Sequence, residues 1–265
     1  MITWDLDPVL LHGPTPLRYY GLIFAVTAVG AFFLWRWQMR RAGHPDEVLA
    51  PFLAYGLVGS VVGARLVHCL FYDWERCVAQ PWFIFAVWLG GLSSHGATAG
   101  LVLALVLYAR RYRLPLADAA DRLSFGAALG ATTVRLANFL HSEIVGRPTD
   151  GSWGVRFPRH DRGLPLDQVP LRHPSQLYEA ALGLLLLGLL LAIDRRLGEE
   201  RPRGLLSALF LTLYFAGRFG LEHFKAYQAL SPERWPLTMG QLLSLPPLAA
   251  GLVWLALLAR RRAGA

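Results

Sequence analysis

Seven apolar segments recur along the 265-residue chain, and each is long enough, or nearly so, to cross a bilayer. A helix needs about 20 apolar residues for this, within a range of about 17 to 25. The segments run from Tyr19 to Trp37, Leu49 to Tyr72, Gly91 to Tyr108, Leu123 to Leu140, Ser175 to Ile193, Gly204 to Leu221 and Met239 to Leu258. A shorter run, Pro81 to Leu89, is expected to lie at the interface or to re-enter the membrane. The pattern predicts an all-α polytopic membrane helix bundle with seven transmembrane helices.

Clusters of arginine follow the first, third, fifth and seventh segments. They are Arg36, Arg40 and Arg41; Arg110, Arg111 and Arg113; Arg195, Arg196, Arg201 and Arg203; and Arg260, Arg261 and Arg262. Because short loops rich in Lys and Arg stay on the cytoplasmic side, these ends are predicted to be cytoplasmic. The amino terminus is then outside and the carboxyl terminus inside. The polar stretch 142–173 is expected to form a small head outside the membrane, inserted into a single domain that spans 1–265.

The composition agrees with a membrane protein and argues against several other classes. Of the residues, 54% are hydrophobic, 17% are charged and nine are Trp, which is too apolar for a soluble domain of this length. The net charge of +8 lies largely in the arginine clusters, so no nucleic-acid partner is expected. The first sixteen residues hold two Asp and no Lys or Arg. We therefore expect the first apolar segment to stay in the protein rather than be cleaved as a signal peptide.

Polar residues inside the fourth segment mark a candidate site. Arg135, Asn138 and Ser142 are spaced i, i+3 and i+7, so they share one face of a helix. An arginine inside a bilayer costs roughly 2.5 to 3.5 kcal/mol on insertion scales, and it usually faces a protein interior or a water-filled cavity. We expect Arg135 to bind a ligand there, with Glu143 and Gly146 just past the end of the helix.

A second polar stripe lies on the sixth segment. Tyr214, Arg218 and Glu222 stand at i, i+4 and i+8, so Arg218 and Glu222 are able to pair. The two charges of such a pair could simply neutralise each other within the helix bundle. For Glu222 this structural role and a functional role are equally supported by the sequence. Arg135 and Arg218, on different helices, could instead offer forked donors to one phosphate. The predicted topology brings these residues, together with Tyr20, to the outer half of the membrane.

His95 stands in the run Gly90-Gly91-Leu92-Ser93-Ser94-His95-Gly96, whose small residues let a backbone or a lipid headgroup approach closely. Histidine titrates near working pH and is a plausible general base. A lone histidine at a helix end is more often structural, and only the arginines predicted at the same level of the membrane favour catalysis.

Other polar residues have more than one interpretation. Helix capping explains much of the start of the fifth segment, where His173, Gln176 and Glu179 lie. Arg65 and Tyr72 either line a cavity or anchor the outer interface. Cys69 and Cys77 have no metal-ligand spacing, and an isolated disulfide between them stays open. No GxSxG, HExxH, Walker or paired acidic metal motif occurs in the sequence, which argues against a serine hydrolase, a zincin and an ATPase.

Six motifs together resemble those of the prolipoprotein diacylglyceryl transferase family, in the family's order and over nearly the whole chain. They are Tyr19-Tyr20-Gly21-Leu22, Gly90 to Gly96, Arg135-Leu136-Ala137-Asn138-Phe139 with Glu143 and Gly146-Arg147, His173-Pro174-Ser175-Gln176-Leu177-Tyr178-Glu179, Arg218 with Glu222, and Met239-Gly240-Gln241. The resemblance implies a bacterial inner-membrane enzyme with seven helices and a small periplasmic head. Its reaction would be the first step of lipoprotein maturation. The diacylglyceryl group of phosphatidylglycerol moves to the lipobox cysteine thiol of a prolipoprotein, which forms a thioether and releases glycerol phosphate.

The resemblance also implies roles for individual residues. The catalytic residues would be His95, Arg135, Arg218 and Tyr20. Phosphatidylglycerol would be bound by Arg135, Asn138, Glu143, Gly146, Tyr214, Arg218 and Glu222. The site would face the periplasm and need no metal or cofactor, and the partners would be phosphatidylglycerol, other membrane lipids and prolipoprotein signal peptides. The base that takes the proton of the thiol would be His95 or a tyrosine.

Five positions depart from the family's usual sequence. The family usually has Gly at Val134, Asn-Gly at His141-Ser142, an acidic residue at Leu89 and Arg at Lys225. Two alternatives to the transferase stay open. One is a divergent paralogue that uses another lipid or acceptor, and the other is a non-catalytic membrane protein whose arginines bind or transport anionic lipids.

Overall fold

The structure is a computed structural model, and it describes residues 2–13, 16–227 and 236–263. Its helices are α1 Tyr19–Arg41, α2 Asp46–Leu49, α3 Pro51–Phe71, α4 Trp74–Ala79, α5 Ser94–Arg111, α6 Leu116–Leu140, α7 Ser175–Leu197, α8 Leu205–Leu221 and α9 Met239–Ala263. Short 3-10 helices are Pro81–Phe85, Val87–Leu89, Gly198–Glu200 and Glu222–Phe224. The strands are β1 Ile2–Thr3, β2 Val9–Leu11, β3 Leu17–Arg18, β4 Val155–Arg156 and β5 Leu171–Arg172.

Each of the seven predicted segments coincides with a long helix, namely α1, α3, α5, α6, α7, α8 and α9. Within the described residues, five helical stretches are long and apolar enough to cross a membrane. They are Tyr19–Arg41, Asp46–Phe71, Ser175–Glu200, Leu205–Phe224 and Met239–Arg261. The helices α5 and α6 are not among them. The prediction of a helical membrane protein is thus confirmed, and the full count of seven crossings stays a prediction.

The chain divides into two compact units, Phe32–Arg122 and Met1–Ala31 with Leu123–Ala265. Within Phe32–Arg122, α3 and α5 pack through glycines at four-residue spacing, Gly59 and Gly63 facing Gly96 and Gly100. A Cβ at Gly100 would lie 2.0 Å from the Gly59 carbonyl oxygen, and one at Gly63 would lie 2.3 Å from that of Gly96. Small residues let two membrane helices approach closely, and the tight packing that results is what associates them.

Arg65 of α3 binds the backbone around the short apolar run. Its guanidinium donates to four carbonyl oxygens, those of Phe83, Ile84 at 3.2 Å, Gly90 at 2.5 Å and Gly91 at 3.0 Å. The guanidinium carbon also lies 4.4 Å from the centroid of the Phe83 ring. The side chain is buried, whereas Tyr72 at the end of α3 is exposed. Arg65 therefore holds the two 3-10 helices of this run in place.

Both cysteines are free thiols inside this unit. Cys69 and Cys77 are buried in one cluster with Phe83 and Ala86. Burial, together with the neighbouring Cys69, raises the pKa of the Cys77 thiol to about 11. A thiol in such surroundings stays protonated and is chemically inert at neutral pH.

In the other unit, the segment 142–173 folds together with the amino terminus. The strand β1 pairs in parallel with β4, which pairs antiparallel with β5. Trp4 packs against a cluster of buried residues, Phe139, Val145, Val155 and Phe157. Residues near the amino terminus thus share a sheet and a core with this segment, which the sequence analysis did not predict. The strands are two or three residues long and leave the structure mostly helical.

Candidate active site

Arg135 and Asn138 lie on one face of α6, as their spacing predicts. The prediction was wrong for Ser142, because α6 ends at Leu140 and Ser142 has a left-handed backbone with φ +54°. Both are buried, and Arg135 Nη1 donates to Asn138 Oδ1 at 3.4 Å. Arg135 Nε lies 2.6 Å from Oε2 of Glu179 on α7. The contact is an ion pair between two buried side chains. The candidate site is therefore built from α7 as well as from α6.

Glu179 belongs to a chain of buried charges. Its Oε1 lies 3.6 Å from Lys225 Nζ, which in turn donates to Glu222 Oε2 at 2.8 Å. Glu179 is 2% exposed, Lys225 3% and Glu222 5%. Isolated charges at such depth would cost several kcal/mol each, so each charge stabilises its neighbour. Glu222 is thus paired, and its ion-pair partner is Lys225.

Arg218 adds a third cation to this cluster. It is half-buried on α8 and interacts electrostatically with Glu179, Glu222 and Tyr214. Tyr214, one turn before it, is buried and stacks on the Phe210 ring at 5.3 Å between centroids. The three cations Arg135, Arg218 and Lys225 face the two carboxylates of Glu179 and Glu222. These five groups have one positive charge in excess and can hold an anion.

Tyr20 brings the start of α1 to the end of α6. Its side chain interacts electrostatically with Arg135 and Glu143 and also contacts Asn138. Its backbone N–H donates to Nε2 of His141 at 3.2 Å, and the two rings meet edge to face with 5.3 Å between centroids. Burial lowers the pKa of His141 below its ordinary value. The nearby Glu143 carboxylate acts in the opposite direction and offsets part of this shift. Tyr20, Asn138 and Arg135 are thus brought together as predicted.

The loop after α6 is held by the first turn of α7. The Gln176 amide donates to the Glu143 carbonyl oxygen at 2.7 Å, and the Ser175 hydroxyl to that of Ile144 at 3.3 Å. The Glu143 side chain itself is 54% exposed. Gln176 and Ser175 therefore fix a loop that carries candidate ligands, which goes beyond the capping role suggested by the sequence.

Gly146 lies where this loop passes between two other backbone segments. Its N–H donates to the His173 carbonyl oxygen at 3.1 Å. A Cβ at this position would lie 2.3 Å from that oxygen and 2.8 Å from the carbonyl oxygen of Phe224. Only glycine fits without a shift of the backbone. This close packing explains why the position is occupied by glycine. Its predicted contact with phosphatidylglycerol stays a prediction.

His95 belongs to the unit Phe32–Arg122. It is the second residue of α5, its side chain is exposed, and Ser93 caps the helix by accepting the Gly96 N–H at 3.4 Å. The Arg65 contacts with Gly90 and Gly91 hold the chain just before this cap. The predicted catalytic role of His95 stays a prediction.

Two members of the charge cluster were missed by the sequence analysis. Glu179 was attributed to the helix dipole, and Lys225 was noted only as a departure from the family. A signal for Glu179 does exist, because an ionisable residue inside an apolar segment is by default a site candidate. For Lys225 the sequence offers only its i, i+3 spacing to Glu222, since its other partner, Glu179, is distant in sequence.

Comparison with known proteins agrees with the motifs. The family model described as prolipoprotein diacylglyceryl transferase matches residues 8–257. A curated relative from Tolumonas auensis, named phosphatidylglycerol--prolipoprotein diacylglyceryl transferase, is 42% identical over 99% of this chain and 100% of its own length. Relatives with the same name from Chloroherpeton thalassium and Porphyromonas gingivalis are 38% and 39% identical, over 95% and 96% of this chain and 92% and 93% of theirs.

Proposed function

The chain belongs to the prolipoprotein diacylglyceryl transferase family, and we propose that it transfers the diacylglyceryl group of phosphatidylglycerol to the lipobox cysteine thiol of a prolipoprotein. It is a transferase of lipoprotein biosynthesis with several membrane-spanning helices. The observation that carries the proposed mechanism is the buried cluster in which three cations face two carboxylates.

The excess positive charge of this cluster suits a phosphodiester. Arg135 uses one N–H group for Asn138 and one nitrogen for Glu179, so most of its donors are not used by the described residues. Guanidinium groups bind phosphate oxygens in pairs, and their attraction is strong where little water is present. Arg135 and Arg218 therefore bind the phosphate of phosphatidylglycerol and stabilise the charge that grows on it during the reaction.

In the transfer, the cysteine thiolate attacks the glycerol carbon of the diacylglyceryl group. A C–S bond forms as the C–O bond to the phosphate breaks, and the electron pair of that bond leaves on the glycerol phosphate. A base takes the thiol proton, because the thiolate is the nucleophile. His95 and Tyr20 are the two candidates for that base. Asn138, Glu143, Gly146, Tyr214 and Glu222 complete the lipid site in this proposal.

The proposed placement is in the bacterial inner membrane. All seven long helices cross it, with the amino terminus in the periplasm and the carboxyl terminus in the cytoplasm. The segment 142–173 then forms a periplasmic head, and the site opens to that side. What supports this orientation is the clustering of arginines after the first, third, fifth and seventh helices.

A mass-shift assay tests the proposed reaction. The purified protein in micelles containing phosphatidylglycerol is given a lipobox peptide, with a matched peptide carrying Ser in place of Cys as the control. We expect a gain of one diacylglyceryl group on the Cys peptide alone. Binding of phosphatidylglycerol without any increase in the mass of the Cys peptide would contradict transfer and favour a lipid-binding protein. Transfer of the diacylglyceryl group to another acceptor would favour a divergent paralogue.

A further inference from the structure

The His141 side chain contacts the first turn of α1, although His141 belongs to the loop after α6. Its Nε2 accepts the Tyr20 backbone N–H at 3.2 Å, and its side chain is only 6% exposed. The first N–H groups of a helix have no partner inside the helix. In α1, the Tyr19 N–H donates to the Pro8 carbonyl oxygen at 3.2 Å, and the Tyr20 N–H is satisfied by the imidazole. His141 thus caps α1 from a different part of the chain.

This cap requires a neutral imidazole with its proton on Nδ1. A nitrogen that accepts a hydrogen bond carries no proton, and the other ring nitrogen then carries one. Nδ1 lies 4.0 Å from Glu143 Oε1, so its proton is on the side of a carboxylate. Protonation of Nε2 would remove the acceptor and would also place a cation at a helix amino terminus, where positive charge is unfavourable.

We propose that His141 is a positioning residue for the transfer, whose neutral imidazole fixes the first turn of α1, and with it Tyr20, against the face of α6 that carries Arg135. The part of this inference that concerns the transfer rate rests on the proposed function. The cap itself does not, because it depends only on the contact between His141 and the Tyr20 amide.

Because only an unprotonated Nε2 can accept the Tyr20 N–H, this cap is sensitive to pH. The groups that face His141 are Tyr20 of α1, Arg18 just before it and Glu143 of its own loop. Burial lowers the His141 pKa, so the neutral form and the cap persist below the ordinary histidine value of about 6.5. The cap is then lost as pH falls through the lowered pKa of the folded protein.

Residue-resolved hydrogen exchange of the Tyr20 amide tests this directly, after correction for the intrinsic pH dependence of exchange. In the unmodified chain we expect protection at neutral pH that is lost on acidification. His141→Asn keeps a carbonyl acceptor and has no titrating group, so its protection should not depend on pH. His141→Phe has no acceptor, and its protection should fall about tenfold, the size expected for loss of a helix cap.

Two further variants separate the cap from its surroundings. Glu143→Gln removes the carboxylate that raises the His141 pKa, so the loss of protection should move to lower pH. His160→Asn is the matched control. It removes a different histidine, which lies in the segment 142–173 and whose pKa is also lowered by burial. Protection of the Tyr20 amide should stay unchanged.

The transfer rate gives the second measurement. We expect His141→Phe to lower it about tenfold, in step with the lost protection, and His141→Asn to retain most of it. Equal Tyr20 protection in His141→Phe and the unmodified chain, pH dependence that persists in His141→Asn, or an unchanged rate in His141→Phe would each overturn the proposal. If the unmodified chain transfers nothing, the proposed function fails, while the exchange measurement still decides whether the cap exists.

Discussion

Two buried arginines of this chain are held in opposite ways. Arg65, in the unit Phe32–Arg122, donates to four backbone carbonyl oxygens and packs on the ring of Phe83. Arg135, in the other unit, contacts the Glu179 carboxylate and the Asn138 amide, and Arg218 lies in the same electrostatic cluster. Both arginines are costly to bury in a membrane protein, yet only Arg135 keeps most of its donors unused by the described residues.

The difference teaches that the partners of a buried arginine decide what it does. Carbonyl oxygens that accept from Arg65 satisfy its donors and fix the backbone between α3 and α5. A carboxylate such as Glu179 instead holds the side chain of Arg135 while leaving its other donors for a ligand. The sequence shows both as arginines in apolar segments, and their partners are visible only in the structure.

The largest effect is expected from Arg135→Gln. Removal of one preorganised donor to a developing charge should lower the transfer rate by about 10²- to 10³-fold. It should also destabilise the protein, because Glu179 loses an ion pair at a depth where charge is costly. In the double variant Arg135→Gln, Glu179→Gln, the carboxylate is neutral, so we expect the thermal midpoint to recover while the rate stays low. A recovered rate would show that Arg135 serves only to neutralise Glu179.

The packing of the other unit is tested by Gly100→Ala. The added Cβ would lie 2.0 Å from the Gly59 carbonyl oxygen, so α3 and α5 must separate. Overpacking of this kind costs about 1 to 3 kcal/mol of stability. Gly188→Ala on α7 is the matched control, since a Cβ there meets nothing within 4 Å. Equal thermal midpoints for the two variants would contradict the close glycine contact.

The smallest effect is expected from Ser142→Gly. Ser142 is buried with φ +54°, and its hydroxyl has no hydrogen-bond partner among the described residues. A left-handed backbone costs a residue with a side chain about 1 to 2 kcal/mol. Glycine removes both this strain and the unsatisfied hydroxyl, so the thermal midpoint should rise. A lower midpoint would mean that the hydroxyl has a stabilising contact.

Hydrophobic length was sufficient to predict the long helices, because each of the seven apolar segments coincides with one of them. It failed at the start of α6, which begins at Leu116 rather than Leu123. There Arg122 donates to Asp118 at 3.0 Å and to the Gln38 carbonyl oxygen at 2.7 Å. Charged residues that satisfy one another can continue a helix, and hydropathy does not detect this.

Helical spacing was sufficient to place Arg135 and Asn138 on one face. It could not reveal the ion pairs of Glu179 or the cap by His141, because these contacts join residues that are distant in sequence. The spacing of Arg218 and Glu222 suggested that they pair with each other, whereas Glu222 forms its ion pair with Lys225. Local periodicity predicts which residues share a face and not which residues meet across helices.

The most direct test of the account compares Arg218→Lys with Arg65→Lys, since both substitutions keep the charge and remove the forked donors. Transfer rate and thermal midpoint are measured for each. We predict that Arg218→Lys lowers the rate about tenfold, the scale of one lost charge-assisted hydrogen bond, at an unchanged thermal midpoint. We predict that Arg65→Lys lowers the midpoint and retains transfer at low temperature. A wild-type rate in Arg218→Lys, or the same loss of stability in both variants, would contradict the distinction between an arginine held by carbonyl oxygens and an arginine of the charge cluster.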